Sequence, residues 1–306
     1  MRAVLLLSLL PLALALLGPA PAGAAQDKPL FFDDFSHADR AALIAAGWML
    51  REAPGHPGVP GARWSAQAIR LVDDPARAGN RLLRLSARTD GSAAGTVQAQ
   101  LCHARKLLHG TYAARVRFSD EPVVGADGDP VVQTFYAVAP LRHDFDPEFS
   151  EVDWEYLPNG GWGSERTRLY AISWQTVRLE PWLAYNSAHE AFGSHAGWHV
   201  LVMQVEPAGV RHFLDGRRLA EHGGRNLPVV PMGIAFNLWF SPGGLLPPSR
   251  EPRVYEQDVD WVLHAPGRVL APAQVLREVQ SLRARGVAQV DTVPAADPPL
   301  ESRCDF

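Results

Sequence analysis

Most of the chain alternates apolar and polar residues in short runs separated by Gly, Pro, Asn and Asp. Runs of this kind are RLLRLSAR (81–88), TYAARVRF (111–118), VVQTFYAV (131–138), RLYAISW (168–174), WHVLVMQVE (198–206), GVRHFLDGRRL (209–219), MGIAFNLWF (232–240) and QDVDWVLH (257–264). A period of two is the signature of a half-buried strand. Within 209–219, Asp215-Gly216 supplies the positive φ that a tight hairpin turn needs. Two stretches follow the helical period instead. HADRAALIAAGW (37–48) spaces Ala and Leu helically, and PAQVLREVQSLRARG (272–286) starts on Pro, stops at Gly and puts Val275, Val279 and Leu282 on one face. Many antiparallel strands with few helices predict an all-β sandwich or barrel. No composition break divides residues 25–306, so one domain is expected, ending in a Pro- and Asp-rich extended tail.

The N-terminus departs from this pattern. Arg2, the apolar run 4–17 and the small-residue site Ala22-Gly23-Ala24 read as a signal peptide over 1–24. The run is short for a membrane span, which needs about 20 residues, and the mature protein is expected to be secreted and monomeric. Export changes the reading of the two cysteines: in an oxidising compartment Cys102 and Cys304 are expected to pair and tie the tail to the middle of the chain. The formal net charge of −4 comes without a basic stripe, so nothing points to nucleic acid or a membrane surface.

The candidate chemistry sits in SEVDWEYLPNGGW (150–162). On a strand, Glu151, Asp153 and Glu155 share one face while Val152 and Trp154 share the other. A flat strand would put Glu151 and Glu155 about 13 Å apart at Cα, and inward-leaning side chains on a curved strand close the gap. Mutual repulsion raises the pKa of at least one acid, as a general acid near neutral pH requires. One ionised nucleophile, one protonated acid and one mediator between them is a chemistry that uses such a row. Aromatic residues that can stack on sugar rings crowd the neighbourhood, among them Tyr136, Tyr156, Trp162, Trp174 and Trp182.

EVDWE (151–155) resembles the E-x-D-x-E signature of family-16 glycoside hydrolases, the laminarinase, lichenase and xyloglucan-transglycosylase group. GTYAARVRF, GWHVLVMQVEPAGVRHFLDGRRL, PMGIAFNLWF and DVDWVLH are similar to further family blocks, in the same order along the chain. The resemblance spans roughly residues 30 to 264. It implies a curved two-sheet antiparallel jelly roll of the concanavalin A-like type with a few peripheral helices. It also implies an endo-acting retaining hydrolase or transglycosylase that needs no catalytic cofactor and takes a β-linked polysaccharide. By position, Glu151 matches the nucleophile, Asp153 the assisting carboxylate and Glu155 the acid/base. Asn237 and Trp239 match a substrate-holding strand, and from the aromatic crowd around the row Tyr136, Trp162 and Trp174 are expected as further sugar contacts. Asp260 matches a carboxylate that in some members binds a structural calcium, together with backbone carbonyls near Gly79.

The chain departs from the family at Trp154, where a smaller aliphatic residue is usual, and at Phe149, where many glucanases have Trp. The stretches 123–150 and 165–182 have no clear counterpart. A β-glucan is the expected substrate, with β-1,3, mixed-linkage, xyloglucan and sulfated galactan chains all open. The rival reading is a carbohydrate-binding jelly roll without turnover. Asp144, Asp146 and Glu148 do not make a calcium loop, because Phe149 and Pro147 interrupt the pattern. His189, His195 and His199 lack metal-site spacing, and His199 reads as a structural histidine.

Overall fold

The computed structural model describes residues 28–304, so the signal peptide expected over 1–24 lies outside the described residues. In chain order the elements begin with β1 (Phe31–Asp33), α1 (Arg40–Ala45), β2 (Trp48–Leu50), β3 (Arg63–Trp64), β4 (Ile69–Asp73), β5 (Arg81–Thr89) and β6 (Val97–His103). They continue with β7 (Gly110–Phe118), β8 (Val131–Val138), β9 (Glu151–Leu157), β10 (Arg168–Arg178), β11 (Leu183–Phe192) and β12 (Gly197–Glu206). The last are β13 (Gly209–Leu214), β14 (Arg217–His222), β15 (Gly233–Phe240), β16 (Arg253–Pro266), α2 (Pro272–Ala284) and β17 (Gln289–Asp291).

The strands form an all-β sandwich of the jelly-roll type. One sheet runs β4-β5-β16-β7-β12-β13-β14, with β1 beside the C-terminal half of β16 and β17 beside β1. The other runs β2-β6-β15-β8-β9-β10-β11. These pairings are antiparallel, while β3 runs parallel to β6 and, with a single β5–β6 pair, joins the two sheets at one corner. Between the sheets lies the main core. Val152, Trp154 and Tyr156 of β9, Phe135 of β8 and Phe236 of β15 face Tyr112 and Val116 of β7 and Val259 of β16. Each large apolar side chain buried there contributes about 1.5–3 kcal/mol. The bulk of Trp154 is taken up against His212, with ring centroids 5.2 Å apart and nearly perpendicular planes.

Local chemistry sets the element ends. Asp39 caps α1 by accepting from Ala42 N, and Gly47 at φ +97° turns the chain away. The helix is therefore shorter than the 37–48 expected, and Trp48 opens a strand instead. The 209–219 run divides into β13 and β14 about Asp215 (φ +49°) and Gly216 (φ +84°), the pair of positive φ values that a tight hairpin requires. The tail adds β17 beside β1 and ends in the Cys102–Cys304 disulfide. Helix α2 lays Val275, Val279 and Leu282 on Phe32, Trp261 and Leu263, covering the outer face of the first sheet.

That helix changes the surroundings of Asp260, where the resemblance implied a calcium. Asp258 and Asp260 project from the outer face of β16 into a set of arginines. Asp260 accepts from Arg115 Nη1 at 2.9 Å, Asn80 Nδ2 at 2.9 Å and Arg283 Nη2 at 2.8 Å, with Arg283 also donating to its backbone carbonyl at 3.0 Å. Burial works to raise the pKa of this carboxyl, but Arg283, Asn80 and Arg115 outweigh burial and hold it below the ordinary value. A small cavity beside it is lined by Asp34, Gly79, Asn80 and Arg283. A dication needs several free oxygens, and here a guanidinium from α2 occupies the carboxylate while a second flanks it. The donor set does not fit calcium.

Chelation is accordingly expected to leave the melting temperature unchanged. Arg283→Ala should cost about 3 kcal/mol, the scale of breaking a buried ion pair, read by urea or thermal unfolding. A loss of melting temperature on chelation, restored by calcium, would reinstate the metal.

Candidate active site

Strand β9 is central in the second sheet, between β8 and β10. Its alternation sends Val152, Trp154 and Tyr156 into the core and Glu151, Asp153 and Glu155 to the outer face. Across the strands, Glu151 stands opposite Trp174 and Val138, Asp153 opposite Ile172 and Tyr136, and Glu155 opposite Tyr170 and Thr134. Glu151 and Glu155 line a cleft of about 730 Å³, within the range of about 300–1,000 Å³ usual for small-molecule sites.

The row is short of partners. Asp153 is 1% exposed and Glu151 7%. Asp153 Oδ2 accepts from Trp174 Nε1 at 3.0 Å, while Asp153 Oδ1 and Glu155 Oε2 are buried without a hydrogen-bond partner. Burial pushes the pKa of all three carboxyls above the ordinary range. For Glu151 the charges of Asp153 and then Glu155 add to the rise, and for Glu155 that of Asp153 does. For Asp153 the Trp174 hydrogen bond opposes it. The six other buried carboxylates among the described residues each have a basic partner: Asp33 with His37, Asp34 and Asp260 with Arg283, Asp129 with Arg253, Asp146 with Arg142, and Asp258 with Arg84. No basic side chain pairs with Glu151, Asp153 or Glu155 among the described residues.

A polar relay lies beside the row. Asn237 of β15 accepts from Thr134 Oγ1 at 2.6 Å and donates to Tyr136 Oη at 3.2 Å. Tyr136 Oη also accepts from Gln100 Nε2 at 2.8 Å, and Gln100 accepts from Arg51 Nη1 at 2.9 Å. Tyr136 and Asn237 therefore reach the cleft wall already fixed. Trp239 and Tyr170 pack with Trp64 and Leu157 to form an aromatic floor. Trp174 stands over Asp153, and Trp162, 47% exposed, meets Tyr170 at a ring distance of 5.2 Å. The expected contacts Tyr136, Trp162, Trp174, Asn237 and Trp239 thus line one cleft with the two glutamates.

Other cleft residues had weak sequence signals. Thr134, Tyr170, Asn186 and Glu190 line it, and Arg51 and Gln100 brace it from behind. The alternation Gln98, Gln100, Cys102 was the one available clue to a strand facing the site. Elsewhere, Asp146 is buried and forked by Arg142 at 2.7 Å through two nitrogens, a structural pair and not a metal loop. His199 pairs with Asp215 at the hairpin turn, at 2.7 Å.

No protein-family model and no curated protein sequence matches the chain. Solved structures do match in fold. A β-1,3-1,4-glucanase (lichenase) from a mouse hindgut metagenome is 20% identical with a TM-score of 0.54, covering 78% of this chain and 99% of its own. The Bacillus licheniformis β-glucanase is 16% identical with a TM-score of 0.55 over 78% and 99%. A family-16 endo-glucanase from Bacteroides ovatus is 13% identical with a TM-score of 0.56 over 76% and 98%. The chain thus has the fold of the family-16 β-glucanases that its motifs resemble.

The raised carboxyl pKa values have a signed consequence. A carboxyl whose folded pKa exceeds its unfolded value of ~4 contributes stability that is complete below that value and is lost as pH rises through the folded pKa. Asp153→Asn keeps an oxygen for Trp174 Nε1 and removes the charge. Its melting temperature should match the wild type near pH 4 and exceed it increasingly as pH rises toward 8. The gain should be about 1.4 kcal/mol for each unit of raised pKa traversed. A constant offset across that range in differential scanning calorimetry would contradict the burial of an unpaired charge.

Proposed function

We propose that the chain is an exported glycoside hydrolase that cleaves a neutral β-glucan by a retaining, two-carboxylate reaction. The observation that carries this reading is the unpaired acid row. Every other buried carboxylate among the described residues has a basic partner, and leaving several kcal/mol of desolvation uncompensated on one strand makes sense where a raised pKa performs work. The family-16 fold and the E-x-D-x-E resemblance support the same assignment.

In this reading Glu155 enters protonated and Glu151 ionised. Glu151 attacks the anomeric carbon as Glu155 gives its proton to the departing glycosidic oxygen, so that one C–O bond forms as another breaks. Glu155, now a carboxylate, takes a proton from water or an acceptor hydroxyl, whose oxygen displaces Glu151. Asp153, tethered by Trp174, keeps negative charge beside Glu151 variable without leaving its position. Trp174, Trp239 and Tyr170 offer ring faces to sugars, and Asn237 offers a fixed amide. Among sources of β-linked chains, cleft charge favours a neutral one. The lining holds Glu151, Glu155 and Glu190 but neither lysine nor arginine, so sulfate or carboxylate substituents would meet like charge. Export is supported by the leader pattern and by the disulfide, since such bonds persist in oxidising compartments.

A reducing-end assay on neutral β-1,3, mixed-linkage and β-1,4 glucans is expected to show turnover on at least one, and none on a sulfated galactan. Glu151→Gln should lower kcat by at least ~10³-fold, in line with loss of a nucleophile. Proton NMR should show the β-anomer formed first. Binding without turnover on all of them would favour a carbohydrate-binding protein, and a first-formed α-anomer would remove Glu151 from the nucleophile role.

A further inference from the structure

The cleft is covered as well as lined. Residues 52–58 follow β2 at one edge of the second sheet, and the β10–β11 hairpin lies near the other. Between β6 and β10 are four strand spacings of about 4.8 Å, roughly 19 Å along the sheet. Yet the rings of His56 and Trp182 lie 6.3 Å apart, and both line the cleft that holds Glu151. The two segments therefore meet above the sheet, across the space in front of β15, β8 and β9.

Both supports of this arch are built into the fold. Arg51 is buried and donates to the carbonyls of Ala53 at 2.9 Å and His56 at 3.0 Å while it lies 4.2 Å over Trp64. Trp64 Nε1 donates in turn to Gly55 O at 3.2 Å. Gly58, at φ +111°, lies so close to Gln98 that a Cβ has no space. On the far side, the stretch 139–149 braces the hairpin. Phe145 N donates to Val177 O at 2.9 Å and Thr176 Oγ1 to Asp146 O at 2.9 Å, with Asp146 itself locked by Arg142. Trp174 meets Trp182 edge-on at 6.2 Å. The strand ends nearest Glu151 are closed too, because Cys304 of the tail packs with Cys102, Tyr136 and Ala235.

A chain laid across the strands thus meets the 52–58 loop, and one laid along them meets the disulfide-tied tail. Open approach remains on the side of Trp162. From these observations we propose that the site takes the end of a β-linked glucan chain, or a short oligosaccharide, and does not accept the middle of a polymer. This inference rests on the carbohydrate reading given above, and it replaces the endo mode that the resemblance implies. It also gives a role to the two stretches without family counterparts: 123–150 supplies the brace, and 165–182 supplies the far support.

Binding stoichiometry separates the possibilities without relying on turnover. The Glu151→Gln variant is saturated with neutral β-1,3, mixed-linkage and β-1,4 glucans, each as long chains and as short oligosaccharides, and complexes are sized by sedimentation. End recognition gives one protein per chain at every length for the linkage that binds. A second variant carrying His56→Gly and Trp182→Ala as well should load several proteins on each long chain, because the arch no longer spans the cleft. Several proteins per long chain with the arch intact would overturn end recognition and leave the carbohydrate reading standing. Binding to none of the glucans would overturn both. An unchanged ratio of one in the opened variant would overturn the arch as the cause.

Discussion

Three carboxylates on one face of one buried strand are the constraint around which the rest of the second sheet is arranged. Like charges at this spacing repel, and losing water makes each worse. The chain does not answer with an arginine, although it has 29 Lys and Arg residues in all and sets arginines against the other buried acids among the described residues, except Asp33, which pairs with His37. It answers with neutral dipoles and rings: one indole N–H on Asp153, and a tyrosine, threonine and asparagine bonded to one another alongside. Neutral donors orient a carboxylate without fixing its charge. A guanidinium would fix it, as Arg283 does for Asp260, and would end any proton exchange at neutral pH.

The two outer faces of the sandwich are therefore electrostatic opposites. On β16, Asp258 and Asp260 are met by Arg84, Arg115, Arg117 and Arg283, and helix α2 seals that face with apolar residues. On β9 the acids have no basic partner among the described residues. Both rows come from the same alternation of strand residues. What differs is the neighbouring strand: β7 presents Arg115 and Arg117 beside β16, whereas β8 and β10 present Thr134, Tyr136, Tyr170 and Trp174 beside β9.

Much of this is legible in the sequence because period-two patterns are local. The acid row, the strands that carry it, the hairpin at Asp215-Gly216 and the apolar face of α2 all follow from spacing within a dozen residues, and the disulfide follows from there being two cysteines. The parts that escape are those set by distant partners. Strand β6 is buried on both faces, and its polar Gln98 and Gln100 make sense there only once Val59 N and Phe240 N reach Gln98 and Tyr136 and Arg51 reach Gln100. Strand β11 lies at a sheet edge with most positions open to solvent, so it lacks a clean apolar alternation. Asp260 reads as a metal ligand only while Arg115 and Arg283 are unseen, for one lies 145 residues before it and the other 23 after.

The Arg283–Asp260 pair also ties the C-terminal region to the sandwich. A metal gathers groups already present in the sheet, whereas a guanidinium holds its own helix in place, since it cannot reach Asp260 unless α2 is docked. The chain beyond α2 then returns to pair β17 with β1 and to deliver Cys304 to Cys102, beside Tyr136 at the cleft. One ion pair on the closed face and one covalent bond on the open face thus fix the same segment at its two ends. The packing beside Tyr136 depends on residues that lie after the last strand of the sandwich's main sheets. A truncation that removes this tail would therefore act on the acid row's own surroundings, through lost packing beside Tyr136, even though it leaves every strand of the second sheet in the chain.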